Sequence, residues 1–513
     1  MLTKLKNKII FYRKQLFLDK NEKFFFDNKI SNSFIKKKII FECFNDYYTL
    51  LMFKTLIKEN FPKENFFGIW PHVIHPYPHH VKNYFSIIHT IKNLIFFSLI
   101  KRKWLGFYEN LGISNIIKID NIKYKDKISL KKNAYKIFIN LKNKKDVLKI
   151  KINCIPVGDL IYDTYLRFKS VPTLDIKDKF LFKIIYKAIV MIHALNKFYK
   201  LNPVEIYFTS YSSYIHHGIP VRFFLNKKVK VYSCVKKYLN NSINRLTLSH
   251  YRHSKNFLNF KNDFEKLKNK NIKIRYAKSL LNKKFKGINE KSAINLKVNT
   301  YKLPIRNYKY FDNINGVLFL HDFFDAPHDL KFSLFEDFYE WAIFTLDFIE
   351  KHNLKIGVKF HPNTKPESLH VNNYLKSKYK NIIWIDTKIS NLSLFNKKNI
   401  KFGVSVGGTV LHELVFYKKY PIYLAENPIS SFKIVPQINS LKAYKDALIN
   451  GHKKKISKKS KIEICKLYYM YIVNQKNASN INIKISNEID LKAIKDTSYD
   501  FFKFNKMIEA IKV

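Results

Sequence analysis

The stretch 401–428, KFGVSVGGTVLHELVFYKKYPIYLAENP, most narrows what this chain can fold into. Ile400, Phe402 and Val404 predict a buried strand, and Ser405–Thr409 a tight turn. Val410, Leu411, Leu414 and Val415 then give a helix one packed stripe, before a second strand over residues 422–424. Strand, short turn, helix and strand in succession is the unit of a parallel α/β sheet. Gly407 and Gly408 allow close backbone approach to whatever occupies the turn. Ser405, Thr409 and the amides of the first helical turn face the same space, which favours an anion, most commonly a phosphate. The pattern is neither a Walker loop nor a G-x-G-x-x-G. A glycine pair that merely permits the turn is therefore the competing reading.

The same alternation extends upstream. Residues 316–320 predict a strand and 333–352 a helix, with Leu334, Phe338, Trp341, Thr345 and Phe348 on one side. Strands at 355–360 and 382–385 flank a helix over 366–378. HDFFDAPH (321–328), HPN (361–363) and SVGGT (405–409) each follow a strand end. In open parallel sheets ligands lie outside the carboxyl ends of the strands, so all three segments are expected to line one crevice. A second set of units precedes this one. Strands are expected at 150–155, 204–208 and 229–232, with helices at 179–199 and 214–225 and a polar turn at 209–213. Residues 81–115 carry a helical pattern ending near Gly112. Residues 1–60 alternate basic and aromatic side chains and suggest no chemistry.

A chain of 513 residues has room for two such domains. The expected organisation is an N-terminal Rossmann-like domain over 1–300, with an irregular basic N-terminal region, and a C-terminal Rossmann-like domain over 312–455. A basic helical tail over 456–513 is placed to cross back to the first domain. Cys43, Cys154, Cys234 and Cys465 are scattered and form no CxxC pair, which argues against a disulfide framework and a zinc site. A formal charge of +55 would ordinarily point to nucleic acid. Here the excess is nearly all lysine, spread along a chain also rich in Asn, Ile, Phe and Tyr, which reads as a bias acting everywhere. No nucleic-acid partner is expected, though attraction to an anionic membrane surface follows from the charge. No secretory signal or membrane-spanning run is seen, so the expected location is cytoplasmic, or peripheral at the inner face of the cell membrane. His72, His75, His79 and His80 crowd one loop. The prolines at 71, 76 and 78 deny them a helical ligand pair and no acid stands among them, so no metal site is expected.

Two Rossmann-like halves, a donor-type crevice in the second and a returning C-terminal helix resemble the GT-B glycosyltransferase architecture. A strand ending in His-Pro, then a small-residue turn with a glutamate one turn into the next helix, is similar to the nucleotide-binding half of bacterial surface-polysaccharide transferases. Sialyltransferases, capsule Kdo-transferases and polyol-phosphate transferases with an HP motif are the nearest groups. The words GDLIYDTYLR, HDFFDAPH, KFHPN and GGTVLHEL also look like an uncharacterised family associated with capsule and lipopolysaccharide synthesis. The resemblance covers roughly residues 150–430 and leaves 1–140 and the tail outside.

It implies an α/β fold of two doubly wound domains facing a cleft, and a glycosyltransferase using a CMP-, CDP- or UDP-linked sugar. The acceptor would be a surface polysaccharide or a lipid-linked carbohydrate, with no cofactor beyond the donor itself. His361 matches the histidine that contacts the donor phosphate, fixed by Pro362 and followed by Asn363. Ser405, Gly407, Gly408 and Thr409 match the phosphate-binding turn, and Glu413 the acid that bonds ribose hydroxyls. A carboxylate suits a diol because it accepts from two neighbouring O–H groups. Lys359 and Lys365 are available to offset phosphate charge, and no DxD pair at a strand end offers a metal anchor. The acceptor's proton needs a general base. Asp159 and Asp163 share a helix face, with Arg167 one turn on; the structural alternative is a helix cap plus an Asp163–Arg167 ion pair. Asp159 is the favoured base. His321, Asp322 and Asp325 are expected to position donor or acceptor, and Ser210, Ser212, His216 and His217 to line the acceptor side. A polyol-phosphate transferase of CDP-glycerol type is the alternative within this class. A non-enzymatic nucleic-acid or membrane-surface protein is the alternative outside it.

Overall fold

The computed structural model describes residues 39–44, 47–61, 66–71, 104–119, 122–237, 240–252, 257–286, 303–362 and 368–470. They form two α/β lobes. The first holds β1 (Ile39–Glu42), β2 (Phe66–Trp70), β3 (Ile113–Lys118), a two-residue hairpin β4 (Lys151–Ile152) and β5 (Ile155–Pro156), then β6 (Ile206–Thr209), β7 (Lys230–Lys237) and β8 (Asn240–Leu246). Its sheet runs β3-β2-β1-β6-β7-β8, parallel throughout except for the antiparallel edge strand β8. The second lobe holds β9 (Gly316–Phe319), β10 (Ile356–Lys359), β11 (Trp384–Ile385), β12 (Phe402–Ser405) and β13 (Tyr420–Tyr423), ordered β11-β10-β9-β12-β13 and all parallel. Both sheets follow one plan. The first strand is central, the next two step outward on one side, and the chain then crosses to build the other side. This is the Rossmann-like doubly wound topology, with a switch point between β1 and β6 and another between β9 and β12.

Strands buried on both faces lose the polar alternation of a surface sheet. In β1, Ile40 enters one core while Ile39 and Phe41 enter the other. In β9, Val317 and Phe319 face the helix Val410–Phe416, while Leu318 faces the helix Phe338–Lys351.

Several expectations shift. The strand expected at 150–155 is the β4–β5 hairpin, turned back by Asn153 and Cys154 at φ 48° and 64°. The helix expected from residue 333 begins at Phe338, because the Asp337 side chain caps it by accepting from the Glu340 amide at 2.8 Å. The domain boundary also moves. Phe257, Phe260, Phe264, Ala277, Leu281 and Phe285 pack into the second lobe's core with Leu411, Leu414 and Val415, so residues 257–285 belong to that lobe and not to the first. The tail helix Lys458–Tyr468 packs on the helices Lys270–Phe285 and Val410–Phe416, so over its described part the tail stays on the second lobe. The histidine-rich loop 72–80 and Asn363 lie outside the described residues. Among the described residues no helix is long and apolar enough to cross a membrane.

Candidate functional site

At the second lobe's switch point, register sets the arrangement. Phe319 of β9 lies opposite Lys359 of β10, and Leu318 lies opposite Val404 of β12. Carried past the strand ends, that register puts His361 on one side of His321 and Gly407 on the other. The side chains agree: His321 Nε2 accepts from the Gly407 amide at 3.2 Å and lies 3.2 Å from Ser405 Oγ. An imidazole nitrogen that accepts from an N–H carries no proton, which fixes the proton on Nδ1. The ring stacks on Phe338 at 4.6 Å. Burial, with the neighbouring His361 second, lowers the His321 pKa to about 3, so it stays neutral. His321 thus acts as a strut holding the 405–409 turn.

Neither Gly407 nor Gly408 has positive φ, and the nearest atom a Cβ would meet is Leu330 Cδ1 at 3.2 Å or Ser405 Oγ at 3.3 Å, with the next at 3.7 Å. The turn's own backbone does not demand glycine, which favours the reading that something else comes close. Thr409 is exposed and makes no capping bond. The Gly407 amide goes to His321, and those of Leu411 and His412 go back to the carbonyls of Gly408 and Thr409. Gly408 and Thr409 are the amides the turn has left to offer.

Other expected donor-side residues have local work. Lys359 is buried and donates to Ile389 O at 2.6 Å and Asn391 Oδ1 at 2.7 Å; Asn391 in turn donates to Glu413 Oε2 at 3.1 Å. Burial lowers the Lys359 pKa to about 8, against the pull of Glu413 and Asp386. Lys359 and Glu413 therefore belong to one buried hydrogen-bonded chain through Asn391, rather than standing open to phosphate and ribose as expected. Asp322 is buried, accepting from the Phe324 amide at 3.2 Å and Ser368 Oγ at 3.0 Å. Pro362 is half-buried beside His361.

The helix Gly158–Lys169 joins the lobes. Leu160, Ile161 and Leu166 pack in the first lobe's core. Tyr162, Asp163 and Arg167 cross to the other: Tyr162 Oη donates to Asp337 Oδ2 at 2.7 Å, Asp163 Oδ1 meets His328 Nδ1 at 2.5 Å, and Arg167 Nη1 donates to Asp325 Oδ1 at 3.3 Å. Thr173 Oγ1 adds a 2.5 Å bond to Asp337, and Lys144 pairs with Glu340. Because 325–328 follow β9 and Thr164 Oγ1 accepts from the Ile215 amide just beyond β6, this helix brings the carboxyl ends of the two sheets together, the GT-B-like disposition.

The structure does not pair Asp163 with Arg167, and it gives Asp159 to Arg222. Both Asp159 oxygens accept from that guanidinium at 2.6 Å, with Arg252 at 3.6 Å. Burial would raise the Asp159 pKa, but the paired guanidinium outweighs it and holds it at about 2. A carboxylate so held is a clamp for the helix start and a poor proton acceptor, so the favoured base is displaced. Burial raises the Asp163 pKa to about 6 against the opposing pull of His328, whose outer nitrogen Nε2 is buried without a partner.

The first lobe's switch point holds a group the sequence did not flag. Glu42, fully buried at the end of β1, accepts from Thr209 Oγ1 at 3.1 Å, from the Ser210 amide at 2.8 Å and its Oγ at 2.5 Å, and lies 2.5 Å from His217 Nδ1. Ser212 and His216 are buried nearby, with the His216 ring 4.2 Å from that of His217 and parallel to Tyr214 at 5.7 Å. Tyr214 opens its helix at φ 61°, a strained conformation for an aromatic residue. Among the described residues no cluster of three or more His, Cys, Asp or Glu side chains is arranged to hold a metal.

No protein-family model and no curated protein matches the chain. Among solved structures, one that aligns with it is the UDP-GlcNAc 2-epimerase of Methanocaldococcus jannaschii in complex with UDP-GlcNAc and UDP. The identity is 12%, over 91% of this chain and 99% of that one, at a TM-score of 0.20.

Proposed function

We propose that this chain is a glycosyltransferase that moves a sugar from a CMP-, CDP- or UDP-linked donor to a surface-polysaccharide or lipid-linked acceptor. The second lobe binds the donor and the first receives the acceptor. The observation that carries this reading is the β9–β12 switch point. His321 braces the 405–409 turn there while His361 stands on the flanking strand end, so a histidine and two open backbone amides border one crevice. In this reading His361 donates to the leaving phosphate, and the Gly408 and Thr409 amides hold its oxygens. Arg167 and Asp325 sit where the lobes meet over the reacting sugar. The charge on the chain adds attraction to an anionic membrane, where a lipid-linked acceptor would lie.

The test is thermal stabilisation by a panel of CMP-, CDP-, UDP- and GDP-linked sugars. One base type is expected to stabilise the wild type by about 2.7 kcal/mol at a hundredfold excess over Kd, and His361→Ala to lose most of that. Stabilisation by CDP-glycerol or CDP-ribitol instead of a sugar donor selects the polyol-phosphate transferase. No response to any nucleotide, with steeply salt-dependent binding to DNA or anionic vesicles that His361→Ala leaves intact, overturns the enzyme reading.

A further inference from the structure

We propose that His217, oriented by Glu42, is the base that takes the acceptor's proton, a role that rests on the transferase reading above. General-base catalysis needs an acceptor lone pair facing the reacting hydroxyl and a partner that fixes the base's tautomer. Glu42 supplies the second. Its carboxylate faces His217 Nδ1 at 2.5 Å, and the two bonds from Ser210 and one from Thr209 leave it no freedom to turn away. Burial alone would raise its pKa, yet the His217 and Ser210 contacts outweigh it and the group is held below its ordinary value. Glu42 is therefore ionised and faces Nδ1, so Nδ1 is the nitrogen that donates to it and Nε2 is the one turned away, where the neutral ring has its lone pair.

Asp159, Asp163 and the neighbouring His328 fail on geometry. Asp159 is clamped by Arg222, Asp163 is engaged by His328, and the Nε2 of His328 is sealed from solvent. The Nε2 of His217 makes no bond to a described residue and is not among the sealed atoms. Among the described residues, Phe44, Tyr211 and His216 wall the ring at 5.0, 5.5 and 4.2 Å, Glu42 meets its Nδ1, and Tyr214 stacks on His216. The location is the β1–β6 switch point, the counterpart in this lobe of the donor crevice in the other.

In the step, the attacking hydroxyl oxygen forms its bond to the donor's anomeric carbon as His217 Nε2 takes the hydroxyl proton. The bond from that carbon to the phosphate oxygen breaks, and its electron pair leaves on the nucleotide. The imidazolium that results is stabilised by Glu42.

The test uses the full chain and whichever sugar nucleotide of the CMP, CDP, UDP and GDP panel stabilises it. Turnover is read as nucleotide released with water as acceptor. His217→Asn is expected to lower kcat at least about 100-fold while donor KM moves less than about threefold. Glu42→Gln is expected to cause a smaller fall, and added imidazole to restore turnover to His217→Gly. Unchanged turnover in His217→Asn overturns the assignment. So does a loss that appears as a raised donor KM without imidazole rescue, because a merely structural histidine would behave that way. Should His217→Asn fail to fold, Glu42→Asp decides: a lowered kcat at constant KM supports the base, and an unchanged kcat removes it. Donor binding without turnover in the wild type defeats the base assignment and leaves the donor site standing. Absence of any binding defeats both.

Discussion

Replacing Asp337 by alanine tests how strongly the lobes are joined. Asp337 is fully buried. One oxygen caps the helix Phe338–Lys351 through the Glu340 amide; the other accepts from Tyr162 and Thr173, which belong to the first lobe. Losing the cap costs about 1 kcal/mol. Tyr162 is also fully buried, so its hydroxyl is left without a partner, at about 1–3 kcal/mol, with a smaller term for the partly buried Thr173. Relief from burying a carboxylate offsets part of this, and the net expectation is about 2–3 kcal/mol. Urea unfolding followed by tryptophan fluorescence reads the loss. Tyr162→Phe alone should cost about 1–2 kcal/mol, and the double variant should fall short of the sum, because each single change removes the same bond. Strict additivity, or a cost under about 1 kcal/mol for Asp337→Ala, would refute the claim that this carboxylate bridges the lobes.

Two further outcomes follow. His321 has a folded pKa of about 3, far below its unfolded value, so the unfolded chain binds the extra proton between those values. Stability should be full above about pH 6.5 and fall as pH drops from there toward 3, and His321→Gln, whose side-chain oxygen can still accept from the Gly407 amide, should flatten that slope in pH-dependent melting. Gly408→Ala places a methyl 3.3 Å from Ser405 Oγ at a negative φ, so stability should change by less than about 1 kcal/mol, while donor affinity, read by the same nucleotide titration, should fall more than about tenfold.

The second lobe was legible because its strands are separated by short turns and by helices with one clear apolar stripe. The first sheet was half hidden. Strand β1 is four residues, IIFE, inside a stretch of Lys, Phe and Tyr, and burial on both faces removes the alternation that marks a strand. Glu42 there has no local signature, since Ser210 and His217 stand 168 and 175 positions away. The i, i+4 spacing of Asp163 and Arg167 placed both on one helix face correctly, but their partners lie in another lobe and come into reach only through the tertiary fold. The same holds for Asp159, whose partner Arg222 is 63 residues on. His361 and the 405–409 turn follow strand ends on either side of His321, because parallel register makes the carboxyl strand ends share one edge.

The helix Gly158–Lys169 has a mechanical consequence. Its apolar side is locked into the first lobe, its Thr164 hydroxyl restrains the start of the segment that carries His216 and His217, and its Tyr162, Asp163 and Arg167 grip the second lobe. Prising the lobes apart therefore loads the very rod that positions His216 and His217. A load at the carboxyl end of one sheet would be felt at the other through a single stiff lever about three turns long.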